Sequence, residues 1–423
     1  MSSRGIQVRR TPIADRSFRL ASMPVLAATL LLPATVAAQE RTTLDVATVV
    51  ARAVAASPLV RVAEARVERA RAQRVGANIF VRENPTVSLW GGPRQLTGGE
   101  WVPDVILTLT VPFDFSGARG ARVDAAEGLV RLAEAEAEEA RQEARQAALA
   151  LRVRALAAQA RVALQRLRVQ IEETDLRIAE TRQRAGVTGL DEVALATVSL
   201  ALARGALASA EAVAAGTLAE LRGRLGLAPD ASVSLAGDLV EDDAVPSLDV
   251  LIVRLGRRAD VQRAVRSMEA SSQEARLQSR LGVPVPRLGL GGGRENEYYG
   301  RIGVDWAVPL FQRNQTAVAV AQAGVRVGQI EREALRAQAE TELRAAYALH
   351  DGARAAWRVL QEALPAAARS EQLATRAYEL GQRDLESTVV VLRQTYELRG
   401  AHLEAAVNVA EAQRAIDRAV GGL

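Results

Sequence analysis

The sequence predicts a mixed α and β membrane protein in which long α-helices form most of the chain and four β-strands form a small part. Three observations lead to this fold class. Two helical tracts are longer than a globular domain can hold, four short segments alternate apolar with small or polar residues, and the whole pattern occurs twice along 423 residues.

Composition and charge exclude several classes of function. The chain has no Cys, and its two His lie in separate helical tracts, so no metal site is expected. No set of side chains has the make-up of a catalytic site, so neither an enzyme activity nor a cofactor is expected. The net charge of +4 comes from residues 1–39, and Arg and acidic residues are interleaved in the neutral remainder. A nucleic-acid partner is therefore not expected.

Residues 1–39 have the pattern of a secretory signal peptide. An Arg-bearing start is followed by an apolar run at 23–38, and the small residues Val36 and Ala38 precede a cleavage point near Gln39. A membrane anchor is the alternative, but the apolar run is short and contains two Pro. After residue 40, no stretch is expected to be long and apolar enough to cross a membrane as a helix.

The first repeat covers residues 42–228. A helical segment at its start is broken at Ser57-Pro58, since Pro disfavours a helical residue before it. We expect these further elements in order: strands at about 85–92 and 103–112, and long helices at about 119–184 and 190–225.

The second repeat covers residues 251–423, after a polar linker at 229–250. The expected elements are strands at about 286–293 and 299–309, and long helices at about 315–380 and 384–420. Landmarks recur at nearly constant offsets: Pro112 with Pro309, and Gly186 with Gly381. One unit of helix, two strands and two long helices has been used twice.

The first long helical tract would measure about 100 Å at 1.5 Å per residue. A helix of that length must lie in a coiled coil or a helical tube. Residues 133–164 are rich in Ala, and small residues let helices approach closely. The apolar positions do not keep a strict heptad, which is typical of helices that contact neighbours on two sides.

The predicted strands alternate with a period of two. In 301–308, Val304 and Trp306 fall on one face with other apolar residues, and Arg301 and Asp305 fall on the other. This is typical of outer-membrane barrel strands, with one face toward lipid and one toward the lumen, although any half-buried sheet alternates too. Four strands cannot close a barrel, whereas three copies of the chain would supply twelve.

Pro112 and Pro309 mark the two junctions between strand and long helix. Pro lacks an N–H and cannot continue a strand ladder, so each Pro ends a strand and turns the chain. The sequence "VPLFQRNQ" (308–315) is the second of these junctions.

The order of several motifs resembles the TolC-like family of outer-membrane efflux proteins over roughly residues 42–423, and within it the CzcC/CusC-like heavy-metal branch. In the first half the motifs are "SPLVRVAEARVERARA", "VPFDFSGARGARVDAAE", "RAGVTGLDEVALATVSLALARGAL" and "RGRLGLAP". In the second half they are "RADVQRA", "VPLFQRNQ", "YELGQRDLEST", "RQTYELRGAHLEA" and the final "AVGGL".

This resemblance implies a homotrimer that is a passive exit duct and not an enzyme. It implies a twelve-stranded barrel in outer-membrane lipid and a helical tunnel across the periplasm. The closed tip of the tunnel would meet a periplasmic adaptor, also called a membrane fusion protein, and an inner-membrane pump of the RND type. Opening would follow when the inner helices untwist. Heavy-metal cations are one substrate class, and drugs or other small molecules are another.

The candidate gate and adaptor contact lie at the two helix–helix turns. Gly186 and Gly381 have the position of glycine caps, where a positive φ is needed. Acidic residues follow each turn, and they suit either a helix N-terminus or an acidic ring at the periplasmic mouth. These acidic residues are Asp191, Glu192, Asp384 and Glu386. The family pattern has a carboxylate a few residues further on, but 388–396 reads "TVVVLRQTY" with no acid.

A second hypothesis is a secreted or periplasmic coiled-coil adaptor or scaffold without a channel. An adaptor also contains a long helical hairpin, but normally one per chain. The doubled hairpin and the two strand pairs favour the duct.

Overall fold

A computed structural model describes residues 42–80, 83–187, 189–240, 245–294 and 297–422. The predicted signal segment 1–39 and its cleavage point lie outside the described residues, as do residues 241–244 of the predicted linker.

Helices form most of the described chain. They are α1 (Val46–Ala56), α2 (Pro58–Ala77), α3 (Ala118–Arg184), α4 (Leu190–Arg224), α5 (Leu248–Arg254), α6 (Ala259–Leu281), α7 (Gln315–Glu379) and α8 (Leu385–Val420). The strands are β1 (Thr42–Leu44), β2 (Thr86–Gln95), β3 (Trp101–Pro112), β4 (Val233–Leu235), β5 (Arg287–Arg294) and β6 (Tyr298–Asp305). Each of the four long helices begins and ends within one residue of its predicted bounds.

The strand predicted at 299–309 ends earlier than expected. β6 stops at Asp305, which pairs with Arg287, the first residue of β5. Pro286 precedes Arg287 and has no N–H to donate, so the ladder has no partner for residues 306–309. Pro112 is the last residue of β3, whereas Pro309 lies four residues beyond the end of β6. The prediction that Pro309 ends a strand was wrong.

The sequence reading also missed a short parallel pair. β1 pairs with β4, and Ala236 N–H donates to the Leu44 carbonyl at 3.1 Å. Leu44 is fully buried in a cluster with α1, the middle of α3 and the end of α4. Three-residue strands have too few residues to show a period of two, which is why the alternation did not reveal them.

The larger sheet has the order β2-β3-β5-β6, and all its pairings are antiparallel. The hairpin β2-β3 comes from the first half of the chain and β5-β6 from the second. β3 and β5 join the two hairpins, so β2 and β6 are edge strands.

α3 is the central helix. It contacts α1, α2, α4, α6 and α8, while α6 lies between α3 and α7. Two glycines permit close approach to α6. A Cβ on Gly128 of α3 would lie 3.2 Å from Ala270 Cα, and a Cβ on Gly328 of α7 would lie 3.2 Å from Met268 Cα.

α4 contradicts the expectation that no helix after residue 40 would be long and apolar enough to cross a membrane. By length and composition it could cross a membrane, and 17% of its most apolar window is buried. The bent pair α1–α2 passes the same test only when taken together. The expectation that no stretch after residue 40 would qualify was therefore wrong, because the Ala and Leu content of α4 is high enough without a continuous apolar run.

We expect Gly328→Leu to destabilise the protein by about 1–3 kcal/mol, since the added side chain must displace Met268 in a packed interface. Thermal unfolding of the purified protein measures this. Gly352→Ala is the matched control in the same helix, because a Cβ there meets nothing within 4 Å. The control should be neutral or stabilising by up to about 1 kcal/mol. Equal unfolding midpoints for Gly328→Leu and wild type would contradict the close-packing account.

Candidate functional site

The sheet β2-β3-β5-β6 has one largely apolar face, and polar residues and glycine predominate on the other face, beside Trp90 and Ile106. Val87, Leu109, Leu290 and Ile302 form a row of directly paired residues across the four strands. The next row along the strands, on the opposite face, is Ser88, Thr108, Gly291 and Arg301. In β3, Val105, Leu107 and Leu109 on the apolar face are exposed, and the residues that alternate with them are half-buried.

The register fixes the faces of the predicted lumen and lipid residues. Arg301 stands on the polar face, and so does Asp305. Val304 stands on the apolar face and pairs with Leu288. Trp306 lies one residue beyond β6, so its predicted place in the strand beside Val304 was wrong.

Five aromatic residues lie in the connections between the sheet and the helices. Every Phe in the described residues lies in a connection between a helix and a strand, and Trp306 lies there too. They are Phe80, Phe113, Phe115 and Phe311. Phe113 and Phe115 stack with ring centroids 6.2 Å apart, and the Arg119 guanidinium lies 5.6 Å from the Phe80 ring centroid. We call Phe80, Phe113, Phe115, Trp306 and Phe311 the aromatic collar.

α3 and α7, the helices that lead into the two turns, end in the same kind of glycine cap. Gly186 has φ +71°, and the Val187 N–H donates to the Arg182 carbonyl at 2.9 Å. Gly381 has φ +68°, and the Gln382 N–H donates to the Ala377 carbonyl at 2.8 Å. These bonds satisfy helix-end carbonyls that would otherwise lack a donor.

The acidic residues after the turns differ in what they contact. Asp191 and Glu192 lie in the first turn of α4, where negative charge is favourable. Asp384 caps α8 and accepts from both the Ser387 hydroxyl and the Ser387 N–H at 2.6 Å. These bonds lower the pKa of Asp384. The Asp384 carboxylate therefore stays charged at any pH above the ordinary pKa of an Asp. The stability that its cap contributes to α8 is lost only as the pH falls through the lowered pKa.

Glu386 ties the two hairpins together. Its Oε2 accepts from Arg182 Nη1 of α3 at 2.6 Å. Arg182 lies in the last turn of α3 and Glu386 in the first turn of α8, so this ion pair joins the two turns within one chain.

Arg393 makes a second link between α8 and α3. Its Nη2 lies 2.7 Å from Glu172 Oε2 and 2.7 Å from Asp175 Oδ2. The Glu172 side chain is 9% exposed, so it depends on this partner. Burial lowers the pKa of Arg393, but the bond to Glu172 and the charge of Asp175 outweigh it and raise the pKa overall.

An apolar seam accompanies these ion pairs. Ile171 and Ile178 of α3 pack against Val389 of α8, with Leu392 and Tyr396 beside them. We call this seam, with the pairs of Glu386 and Arg393, the tip clamp.

The structure brings some of the sequence-predicted site residues together but not all. Glu386 contacts Arg182 of α3, whereas Asp191 and Glu192 lie in the first turn of α4. Sequence reasoning missed the charged residues on the α3 side of the clamp, namely Glu172, Asp175 and Arg182. It noted Arg393 only as a departure from a family pattern, since nothing in one sequence shows which turns of two long helices are adjacent. In the described ranges, no group of three or more His, Cys, Asp or Glu could hold a metal ion.

Comparison with known proteins agrees with this architecture. Residues 49–227 match the family model described as outer membrane efflux protein. These residues are less than half of the chain, and over them the chain is similar to the outer membrane efflux proteins. A search of curated protein sequences finds no match to this chain.

Solved outer-membrane channels share its fold. VceC of Vibrio cholerae is 19% identical with a TM-score of 0.68, over 89% of this chain and 96% of that one. CusC is 16% identical with a TM-score of 0.69, over 89% and 92%. The open-state MtrE channel of Neisseria gonorrhoeae is 16% identical with a TM-score of 0.70, over 89% of each chain. At these identities CusC is no nearer than VceC, so the comparisons do not single out the heavy-metal branch.

We expect Arg393→Ala to destabilise the protein by about 1–3 kcal/mol, because it leaves the buried Glu172 carboxylate without its donor. Chemical denaturation measures the change. Glu172→Gln in the same chain should recover part of the loss, and Arg369→Ala, on the exposed side of α7, should have little effect. Independent, additive effects of the Arg393 and Glu172 changes would contradict a direct pairing.

Proposed function

We propose that three copies of this chain form an outer-membrane exit duct of a tripartite efflux system. The proposal depends most on one observation, that both the sheet and the helix layer have two open sides. In this proposal the chain consists of repeats 42–228 and 251–423 with the linker 229–250 between them.

The sheet supports ring closure. β2 and β6 each have one paired side, so their free N–H and C=O groups need partners if the sheet lies in lipid. Pairing β2 of one copy with β6 of the next continues the sheet head to tail, and such an interface closes into a ring. Three copies supply twelve strands, within the range of membrane barrels.

The helices support the same closure. α4 packs against α3, α3 against α8, and α8 against α7, which leaves α4 and α7 at the two sides. The free side of α4 exposes Leu195, Val198 and Leu202, at 68%, 55% and 65%. α7 exposes Val320, Val327 and Ile330 in the same way. Neighbouring copies would cover these residues.

The aromatic collar supports the membrane position. Strands of 8 to 12 residues match the roughly 9–11 that span a bilayer when tilted. The apolar face, with Val304, would meet lipid, and Arg301 and Asp305 would face the lumen. The collar would then lie at the periplasmic interface, where aromatic rings are favoured. Trp306 belongs to this collar and not to the lipid-embedded strand.

The two turns would form the periplasmic end of the duct. Gly186 and Gly381 fix the shape of each turn, and the exposed Val187, Leu190 and Leu380 offer an apolar contact for a periplasmic adaptor. Asp191, Glu192 and Asp384 would add an acidic ring from three copies. The tip clamp would hold this end closed until the adaptor and an inner-membrane pump, of the RND type, are engaged.

Residues 1–39 would be removed after export across the inner membrane. Heavy-metal cations are one candidate substrate class and drugs or other small molecules are the other. Selection would lie in the pump and the adaptor, since the polar sheet face carries mixed charges.

The rival function is a secreted or periplasmic coiled-coil scaffold without a channel. Fractionation with detergent extraction and native mass measurement separates the two. A trimer confined to the outer membrane is the result expected of the duct, and a monomer recovered in the soluble periplasm is the result expected of the scaffold.

We expect Leu107→Arg to impair outer-membrane assembly by about 2–4 kcal/mol, because Leu107 is exposed on the apolar face near the middle of β3. Thr108→Arg is the matched control one residue along, on the polar face, and it should assemble normally. The amount of folded trimer extracted from the outer membrane measures both. Similar losses for the two variants would refute the assignment of the faces.

A further inference from the structure

Pro365 lies inside α7, well past its start at Gln315 and before its end at Glu379. Pro has no N–H, so the carbonyl of Gln361 loses its helical donor, and the ring crowds that carbonyl. Helices bend sharply at such positions. α3, the corresponding helix of the other hairpin, contains no Pro along its 67 residues.

α8 carries its weakest helix former at the same level. Gly400 is an interior residue of α8, where Gly is less favourable than most other residues. Two contacts place it opposite Pro365. His402 Nε2 lies 2.5 Å from Gln361 Oε1, and Arg399 Nη2 donates to Glu371 Oε2 at 2.6 Å. Gln361 and Glu371 bracket Pro365, and Arg399 and His402 bracket Gly400.

The ion pairs between α8 and α3 fall into two groups, one on each side of the level of Pro365 and Gly400. On the side away from the turns, Arg161 donates twice to Glu404 at 3.0 Å. On the side of the turns lies the whole tip clamp, with the pairs of Arg393 and Glu386. A bend at this level would leave the Arg161 pair in place and separate the clamp.

The other hairpin provides an internal comparison. α4 also has an interior glycine, Gly205, but α3 has no Pro opposite it. Arg204 pairs with Glu173 at 2.8 Å and Arg166 with Glu211 at 2.9 Å, which hold α3 and α4 together on both sides. The α7–α8 hairpin therefore has a weak helix former in both helices at the same level, whereas the α3–α4 hairpin has one only in α4.

We propose that Pro365 and Gly400 form a hinge in the α7–α8 hairpin. The hinge lets the end of this hairpin bend away from α3 while α3 and α4 stay straight. The inference rests on the proposed duct, in which this bend opens the periplasmic end. The paired contacts on each side of the hinge keep α7 and α8 together, so the hairpin bends as one unit.

Spin labels on α7 test the bend directly, and the absence of Cys makes labelling specific. Leu349→Cys and Leu373→Cys place labels at exposed sites on either side of Pro365. A straight helix would separate the two Cα atoms by about 36 Å. Labelled chains are diluted with unlabelled chains so that each assembly carries one pair, and the distance distribution is measured by pulsed electron resonance.

In the chain that carries only the two labelled cysteines, we expect a broad distribution of label distances that extends below the value for a straight helix. Pro365→Ala should narrow it and shift it toward about 36 Å, because the helical hydrogen bond is restored. Gly400→Ala should narrow it less. A Cβ at 400 would lie 3.6 Å from Leu164 Cδ2, an ordinary contact, so this variant should fold. Pro58→Ala, at the first turn of α2, is the control and should change nothing. Equal distributions in the unchanged chain and in the Pro365→Ala variant would overturn the hinge.

Conductance separates the hinge from the duct. Purified protein in a planar bilayer with KCl should show opening events, and Pro365→Ala should lose most of them while assembling normally. Opening events that are equally frequent in Pro365→Ala overturn the role of the hinge and leave the duct standing. If the protein forms no conducting pore at all, the duct fails, and the label distances still decide whether the helix bends.

Discussion

The architecture depends on the packing of one helix, α3. α3 packs against α4, its partner in the first hairpin, and also against α6 and α8 from the second half of the chain. Near the sheet its neighbour is α6, approached closely at Gly128. Near the turns its neighbour is α8, held by the tip clamp. Both ends of the molecule are thus positioned by the same 67-residue rod.

The second constraint is the set of groups that one chain leaves without partners. An edge strand in lipid has backbone groups that water cannot satisfy, and an Ala- and Leu-rich helix such as α4 exposes apolar surface. One ring of three copies would satisfy both needs at once. The proposed function follows from this requirement more than from any single side chain, because no described residue stands out as a reactive group.

The sequence predicted the long helices well and the contacts between them poorly. Helix ends are local: Gly186 and Gly381 stop their helices by their own backbone preference. β6 was predicted too long because its end depends on Pro286, which lies before the neighbouring strand and not in β6 itself. The tip clamp was missed for the same reason. Arg393 and Glu172 are 221 residues apart, and only the fold shows that they meet.

The central claim is that β2 of one copy continues into β6 of the next. A cross-linking experiment tests it most directly, because the chain has no Cys of its own. Leu89→Cys and Ile302→Cys place single thiols near the middle of the two edge strands, both on the apolar face. With a short thiol cross-linker of varied length, the account predicts covalent products that stop at three chains. Products that continue beyond three, or chains that stay single with every cross-linker, would contradict it.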